Sequence, residues 1–157
     1  MNYHNILKDD MRNGEGLRVV LFVAGCEHHC EGCHNPFTWA LNGGISFDNN
    51  AKEEIFAQLK ESHISGLTLS GGDPLHPKNR VTITDLCMEV KERFPDKTIW
   101  LYTGFKYEEV MHLRVMQYID VLVDGPFIKE LADVKYEWAG STNQRIIRLK
   151  EGKAWQM

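Results

Sequence analysis

The sequence lacks any apolar run long enough to cross a membrane. Its longest uninterrupted apolar stretch covers residues 19–25, whereas a membrane-spanning helix needs about 20 such residues. The first residues are polar and lack the basic segment followed by an apolar segment that is typical of a secretory signal peptide. We therefore expect a cytoplasmic protein with no membrane partner.

Positive charge is also scarce. The 18 lysines and arginines are outnumbered by 22 aspartates and glutamates, which gives a formal net charge of -4 at pH 7, and no basic run occurs. Proteins that bind nucleic acids depend on lysine and arginine to neutralise phosphates. The composition therefore argues against a nucleic-acid partner.

Internal repeats, low-complexity tracts and linkers rich in proline or serine are absent as well. A chain of 157 residues has the usual size of one domain and can bury a core without a disulfide or a zinc staple. We therefore expect residues 1–157 to fold as a single domain.

The sequence does contain a regular alternation of strand-like and helix-like segments. Strands are predicted at residues 18–23, 67–69, 98–102, 121–123 and 145–149. Helices are predicted at residues 50–62, 83–94 and 107–116. Strands separated by helices form parallel βαβ units, and a closed barrel of such units needs about 250 residues. Because the chain is shorter, we expect an α/β fold, a partial (βα) barrel with a mainly parallel, curved sheet of roughly four to six strands.

Chemically unusual loops follow these predicted strands. The first strand runs into a cysteine-rich loop at residues 26–33, and the next three end at residues 70–74, 103–104 and 124–126. Parallel strands place such loops at one edge of the sheet, which is where α/β folds bind ligands. The sequence therefore predicts a binding site at that edge, with the cysteine loop directly after the first strand.

Three of the four cysteines lie in that loop. Cys26, Cys30 and Cys33 have the spacing C-x3-C-x2-C, and such short spacers allow three thiolates to converge on one metal centre. Disulfides are rare in a reducing cytoplasm, so a metal centre explains the grouping better. The fourth cysteine, Cys87, lies on the apolar face of a predicted helix and is expected to be a buried free thiol.

Two kinds of metal centre fit this loop. A zinc ion would need a fourth ligand, which His28, His29 or His34 could supply. A [4Fe–4S] cluster has four irons, so three cysteines would leave one iron open to a substrate. The second interpretation explains the odd number of thiols, and it implies that His28 and His29 are solvated rather than ligands.

Further motifs surround the cysteine loop. They occupy residues 13–18 (NGEGLR), 33–35 (CHN), 70–75 (SGGDPL), 100–105 (WLYTGF), 121–127 (VLVDGPF) and 138–144 (WAGSTNQ). Together with the cysteine spacing, they resemble the radical S-adenosylmethionine (SAM) enzymes, and within these the activases that install a glycyl radical on an anaerobic ribonucleoside-triphosphate reductase. The resemblance runs from residue 1 to about residue 144, so residues 1–157 read as a single radical SAM domain.

The resemblance implies two cofactors, a reaction and three partners. Cys26, Cys30 and Cys33 would hold a [4Fe–4S] cluster, whose fourth iron would bind the amino and carboxylate groups of SAM. Reductive cleavage of SAM would give a 5′-deoxyadenosyl radical, which would take an α-hydrogen from a glycine of the reductase. No catalytic side chain beyond the cluster and the SAM site is implied. The partners would be that reductase, an electron donor such as a flavodoxin or a ferredoxin, and a second copy of the chain in a homodimer.

The same resemblance implies which residues contact SAM. The backbone of Gly32, Cys33 and His34 would line the adenine side, and Thr103 and Asp124 would lie at the same edge of the sheet as further contacts. For Thr103 and Asp124, the alternative is that they are ordinary turn residues after strands.

The segment around Gly71 and Gly72 has two explanations. Without side chains, these glycines would let the backbone approach the methionine part of SAM closely. Alternatively, the segment is an ordinary strand-to-helix turn in which Asp73 caps the helix and Pro74 opens it. The neighbouring cysteine loop favours the first explanation, and Asp73 could serve both roles. Residues 138–145 likewise either help to close the site or dock the partner, or they pack as a terminal strand around Trp138.

The sequence leaves three other functions open. An activase of another glycyl-radical enzyme would carry the same motifs. A non-catalytic iron–sulfur electron carrier would normally use four cysteines, and it would leave residues 70–75 unexplained. A zinc-stapled binding module is disfavoured because a domain of this length does not need the staple. The activase of the ribonucleotide reductase is the function that the motifs favour.

Overall fold

The computed structural model describes residues 1–157 and contains one sheet of eight strands. The strands are β1 (Asn2–Asp10), β2 (Arg18–Val23), β3 (Ile45–Ser46), β4 (Gly66–Gly71), β5 (Thr98–Tyr102), β6 (Val121–Asp124), β7 (Arg145–Lys150) and β8 (Lys153–Gln156). The α-helices are α1 (Asn49–Leu59), α2 (Arg80–Arg93) and α3 (Tyr107–Val110). Short 3-10 helices cover Pro36–Thr38, Arg114–Gln117 and Lys129–Leu131.

The sheet is mixed. Its strand order is β3-β1-β2-β4-β5-β6-β7-β8, and it does not close on itself. Three neighbouring pairs are parallel, β2 with β4, β4 with β5 and β5 with β6. The other four pairs are antiparallel. The α/β class is therefore confirmed, the prediction of a mainly parallel sheet was wrong, and the partial barrel is not confirmed.

The extra strands explain this difference. A helix must cross between parallel neighbours, so the alternation of strands and helices reveals β2, β4, β5 and β6 but not strands joined by short turns. The strand β8 returns from β7 through a turn at Glu151 and Gly152, which both have a positive φ. The strand β1 precedes β2 and pairs with it antiparallel. The cysteine loop therefore follows the second strand rather than the first, and the sheet has eight strands instead of four to six.

Helices α1 and α2 cover one face of the sheet. A core of 26 buried residues joins inward residues of the strands, such as Leu21 and Leu69, to helix residues such as Ile83. The helix α1 begins where the side chain of Asp48 accepts a hydrogen bond of 2.9 Å from the backbone N–H of Ala51. Both helices lie close to their predicted positions, whereas the predicted helix at residues 107–116 is α3 followed by a separate 3-10 turn.

A buried arginine joins three strands on the opposite face of the sheet. The Arg18 guanidinium donates to the hydroxyl of Thr68 at 2.8 Å, to the carbonyl of Leu67 at 3.0 Å and to the carbonyl of Thr98 at 2.8 Å. It also lies over the ring of Trp100. Burial lowers the pKa of Arg18 to about 10. This network closes the amino ends of β2, β4 and β5, at the end of the strands opposite the cysteine loop.

No helix in the structure combines the length and the apolar character that crossing a membrane requires.

Candidate active site at the carboxyl edge of the parallel strands

The loops that follow β2, β4, β5 and β6 meet at one edge of the sheet, as the parallel order requires. They enclose a cavity to which all three cysteines of the loop contribute. Its lining consists of Cys26, His28, Cys30, Cys33, Trp39, Ser70, Gly71, Gly72, Tyr102, Thr103, Gly104, Gly125, Phe127 and Gln144. The structure therefore brings together residues from all four of the predicted loops.

Backbone hydrogen bonds hold the cysteine loop in place. The N–H groups of Gly25 and Cys26 donate to the carbonyls of Thr38 and Trp39, at 2.7 Å and 3.0 Å. Within the loop, the N–H of Cys33 donates to the carbonyl of Cys30 at 3.1 Å. The loop is therefore folded back on itself, with three half-buried free thiols facing the cavity.

Burial raises the pKa of two of the three thiols of this loop. Desolvation raises the pKa of Cys26 to about 11, although hydrogen bonding from the backbone of His28 opposes this. Desolvation also raises the pKa of Cys30, and the backbone of Phe127 opposes it in the same way. The cavity lining contains no lysine or arginine that would favour thiolates. Binding of a metal centre would therefore displace protons from these thiols.

The two glycines after β4 are packed against protein backbone. A Cβ atom on Gly72 would lie 2.6 Å from the carbonyl oxygen of Gly25, and Gly71 has a φ of 102°. The N–H of Gly72 donates to the carbonyl of Val23 at 2.8 Å, and the N–H of Asp73 donates to the carbonyl of Gly25 at 2.7 Å. Both glycines also line the cavity. The glycine loop, residues 70–75, therefore lies directly beside the chain that enters the cysteine loop.

The carboxylate of Asp73 is buried and fully engaged by the protein. It accepts hydrogen bonds from the N–H of Leu75 at 2.9 Å, the hydroxyl of Thr103 at 2.9 Å and the N–H of Gly104 at 3.0 Å. Its other contact is the Nε2 atom of His28, at 2.6 Å. The prediction of a solvated His28 was therefore wrong. The turn explanation was also wrong in its detail, because α2 begins well after Asp73, which does not cap it.

The carboxylate of Asp124 is likewise engaged. It accepts from the N–H of Tyr107 at 2.7 Å and from the Nε of Arg145 at 3.1 Å, and it is buried. The same guanidinium binds both carboxylate oxygens of Glu108, at 2.9 Å and 2.7 Å. Hydrogen bonding from Arg145 lowers the pKa of Glu108 to about 2. Hydrogen bonding to Glu108, and to a smaller extent to Asp124, raises the pKa of Arg145. This network joins α3 to the start of β7 beside the cavity.

The last two predicted contacts lie at the end of the cysteine loop. Gly32 has a φ of 75° and lies against the side chain of Phe127. The ring of His34 packs against the same phenylalanine, with ring centres 5.1 Å apart. Phe127 thus forms a wall of the cavity that the sequence did not indicate, since an aromatic residue after a turn has no distinctive spacing.

The segment at residues 138–144 is not the terminal strand that one expectation described, because the strand β7 begins at Arg145. Trp138 packs edge-on against Trp100 with ring centres 5.7 Å apart, on the face of the sheet opposite α1 and α2. Gln144 lines the cavity, accepts from the N–H groups of Gly140 and Ser141, and donates to the carbonyl of Gly125 at 3.1 Å. Its side chain therefore fixes the loop after β6 at the rim of the site.

The buried side chain of Asn79 joins the two loops that carry the site, and sequence reasoning missed it. Its Nδ2 donates to the carbonyl of Ala24 at 3.0 Å and to the carbonyl of Asp73 at 3.1 Å. In the sequence, the only indication of a role for Asn79 is its position directly before a helix. That position predicts a helix cap, which the side chain does not provide.

Comparison with known proteins identifies the family. Residues 12–147 match the model of the 4Fe-4S single cluster domain family. A protein of Enterobacteria phage T4 is 50% identical over 146 residues, which is 93% of this chain and 93% of the relative. Proteins of Haemophilus influenzae (47% over 154 residues) and Escherichia coli K12 (42% over 154 residues) each match 96% of this chain, and 99% and 100% of the relative. All three are named anaerobic ribonucleoside-triphosphate reductase-activating protein.

The chain belongs to this family of activating proteins. Membership agrees with the spread of the metal-binding atoms. The one group of three ligand atoms within 4.8 Å of one another joins Cys26 to His28 and Asp73, not to the other two cysteines. A single zinc ion bound by all three thiols would hold the sulfur atoms roughly 4 Å apart. The match to a 4Fe-4S domain is therefore what favours an iron–sulfur centre over one zinc ion.

The histidines also argue against zinc in this activating protein. Nε2 of His28 is bonded to Asp73, the ring of His29 stacks on Trp39 with centres 4.7 Å apart, and the ring of His34 packs on Phe127. A ring nitrogen of His28 nevertheless lies within 4.8 Å of the Cys26 Sγ. The family match, to a 4Fe-4S domain, favours an iron–sulfur cluster over zinc.

Proposed function

We propose that this protein is a radical SAM activase that generates a glycyl radical on an anaerobic ribonucleoside-triphosphate reductase. Residues 1–157 would act as one domain in which Cys26, Cys30 and Cys33 hold a [4Fe–4S] cluster. The observation that carries the proposal is the single cavity that these three thiols share with Gly71 and Gly72. The fourth cysteine is buried in the core on α2, so it is not available as a further ligand.

The cofactor supplies the chemistry. A [4Fe–4S] cluster held by Cys26, Cys30 and Cys33 would supply one electron for reductive cleavage of the S–C5′ bond of SAM, which would release methionine and allow a hydrogen atom to be taken from a glycine α-carbon of the reductase. The added electron would end in the thioether of methionine, the hydrogen atom in 5′-deoxyadenosine and the unpaired spin on the glycine. The residues of this chain supply binding, orientation and exclusion of water.

Several residues are proposed to hold SAM beside the thiols. The backbone of Gly71 and Gly72 borders the cavity, with Asp73 fixing the loop from behind. The proposed contacts to SAM or to the groups that orient it are Gly32, Cys33, His34, Gly71, Gly72, Asp73, Thr103 and Asp124. For Asp73, Thr103 and Asp124, the hydrogen bonds to protein groups support an indirect contribution, in which they fix loops that meet SAM through backbone atoms.

The partners follow from the family. The relatives are named for activating an anaerobic ribonucleoside-triphosphate reductase, and we propose that reductase as the protein substrate. We further propose a flavodoxin or a ferredoxin as electron donor and a homodimer as the assembled form.

The production of 5′-deoxyadenosine tests the proposal. The protein is purified without oxygen, loaded with iron and sulfide, and mixed with SAM and a strong one-electron reductant, with and without the reductase. The wild-type protein should bind about four irons per chain and release 5′-deoxyadenosine. Cys30→Ala should lose the cluster and the product because a ligand is removed.

The control is Cys87→Ala, which removes the buried cysteine of α2 and leaves the loop intact. It should retain iron and activity. A fully loaded wild-type protein that forms no 5′-deoxyadenosine even with the reductase present would contradict the activase and favour an electron carrier.

A further inference from the structure

One histidine lies between two of the cluster-binding cysteines and contacts a distant loop. The Nε2 atom of His28 lies 2.6 Å from the carboxylate of Asp73, although 45 positions separate the two residues. The imidazole is 21% exposed and the carboxylate 2% exposed. The ring also packs edge-on against Phe105, with centres 4.6 Å apart, and a Cβ on Gly104 would collide with it. The side chain therefore has one orientation.

We propose that His28 is a positioning residue that fixes the cysteine loop relative to the glycine loop, and so sets how the cluster and SAM meet. This inference rests on the proposed function. The Cys26 Sγ, a ring nitrogen of His28 and a carboxylate oxygen of Asp73 lie within 4.8 Å of one another, and Asp73 directly follows Gly72. One residue thus connects a proposed cluster ligand to the proposed SAM loop. A second side-chain contact of the cysteine loop, between Glu27 and the Nε2 of His76 at 2.6 Å, lies just past the glycine loop, and the Glu27 side chain is 74% exposed.

The far end of this connection is rigid without His28. Asp73 still accepts hydrogen bonds from Leu75, Thr103 and Gly104, and its own N–H binds the carbonyl of Gly25. Removal of the imidazole therefore leaves no unpaired buried carboxylate, so we expect the fold to be retained. The change is confined to the cysteine loop, which loses its buried side-chain contact with the glycine loop.

The inference is tested with three variants. His28→Leu removes the hydrogen bond to Asp73. His28→Gln retains it, because the Nε2 of glutamine lies at nearly the same distance from the main chain as the Nε2 of histidine. His29→Asn is the control, since His29 is the next residue, stacks on Trp39 and makes no bond to Asp73. Asparagine tolerates the φ of 51° at that position.

The first measurements use the loaded protein. His28→Leu should retain the iron and sulfide content of the wild-type protein because the three thiols remain. Its KM for SAM should rise about tenfold or more with a much smaller change in kcat, as expected when a group behind a metal site is lost. His28→Gln and His29→Asn should both stay close to the wild-type protein. A His28→Leu variant with an unchanged KM, or a failure of His28→Gln to restore the KM, would overturn the inference.

The second measurement uses the cluster-free protein and does not depend on activity. Backbone amides of residues 26–33 should exchange hydrogen faster in His28→Leu than in the wild-type protein, and His28→Gln should restore slow exchange. Equal exchange in all four proteins would overturn the connection. If the wild-type protein cleaves no SAM, the proposed function fails, while the exchange experiment still decides whether His28 holds the loop.

Discussion

Single residues at the site are constrained mostly by neighbouring protein atoms. The glycine pair after β4 was expected to let the backbone approach SAM. The structure shows a second and sufficient reason for Gly72, since a Cβ there would lie 2.6 Å from the carbonyl oxygen of Gly25. Asp73 and Asp124 were predicted as contacts of the cofactor, and their carboxylates are bonded to protein donors. The side chains thus set the shape of the cavity, and backbone atoms form much of its surface.

A substitution at Gly72 tests this constraint. Gly72→Ala should lower the free energy of unfolding of the cluster-free protein by about 1–3 kcal/mol, because backbone atoms cannot move aside for the methyl group. Urea unfolding measures the change. Gly140→Ala is the matched control, since its Cβ would meet the ring of Phe127 at 3.0 Å and that ring can turn. Equal losses in the two variants would contradict the explanation from backbone contact.

The sequence predicted the residues of the site better than their contacts. The spacing of Cys26, Cys30 and Cys33 indicates a metal centre because their convergence is local. The bond between His28 and Asp73 could not be predicted, because nothing in a sequence reports a contact across 45 positions. The same holds for the ion pair between Asp124 and Arg145, which fixes the loop after β6 from a strand formed later in the chain.

Among the strands, those that are deeply buried could be predicted from the sequence, and the mostly exposed ones could not. The strand β2 is almost wholly buried and reads as a continuous apolar run. The strand β1 has one buried residue among nine, and β3 has two exposed residues, so neither has a hydrophobic pattern. The antiparallel strands β1 and β3 were missed for this reason, and so was β8, which has no buried residue, whereas the antiparallel β7 was predicted. The parallel strands that carry the site were all found.

The ion pairs of Arg145 connect two elements and depend on pH. The pKa of Glu108 is lowered from 4.5 to about 2 in the folded protein by hydrogen bonding from Arg145. The stabilisation is therefore fully present above about pH 4.5 and is lost as the pH falls through 2. Glu108→Gln should lower the urea midpoint at pH 7, and its difference from the wild-type protein should shrink as the pH falls towards 3.

The control for this prediction is Glu53→Gln, which removes an exposed carboxylate of α1 that makes no ion pair. Its difference from the wild-type protein should not change with pH. If the urea midpoints of Glu108→Gln and the wild-type protein differ by the same amount at pH 7 and at pH 3, the contact with Arg145 does not stabilise the fold.

Across the whole molecule, the core and the cysteine loop occupy different places. The core of 26 buried residues lies between the sheet and its helices, and it includes no residue of the cysteine loop. The loop lies at the edge of the sheet and is held by backbone hydrogen bonds to residues 38 and 39. The fold therefore does not depend on a metal centre, in contrast to small domains that a structural metal holds together.

Removal of the cluster tests this separation. The cluster-free protein should keep its far-UV circular dichroism and unfold cooperatively in urea, because the buried apolar surface is unchanged. Only hydrogen exchange in residues 26–33 should increase relative to the loaded protein. Loss of the helical signal on removal of iron would contradict this prediction and would mean that the cluster is part of the folding core.

The distribution of the cavity walls along the chain has a consequence for biosynthesis. The three cysteines are complete at residue 33, while the walls that surround them come from residues 70–72, 102–104, 125–127 and 144. A ribosome adds residues from the amino end, so the thiols emerge long before their shielding loops. A cluster inserted at that time would meet water and oxygen on every side. The order of translation therefore favours delivery of iron and sulfide to the finished protein.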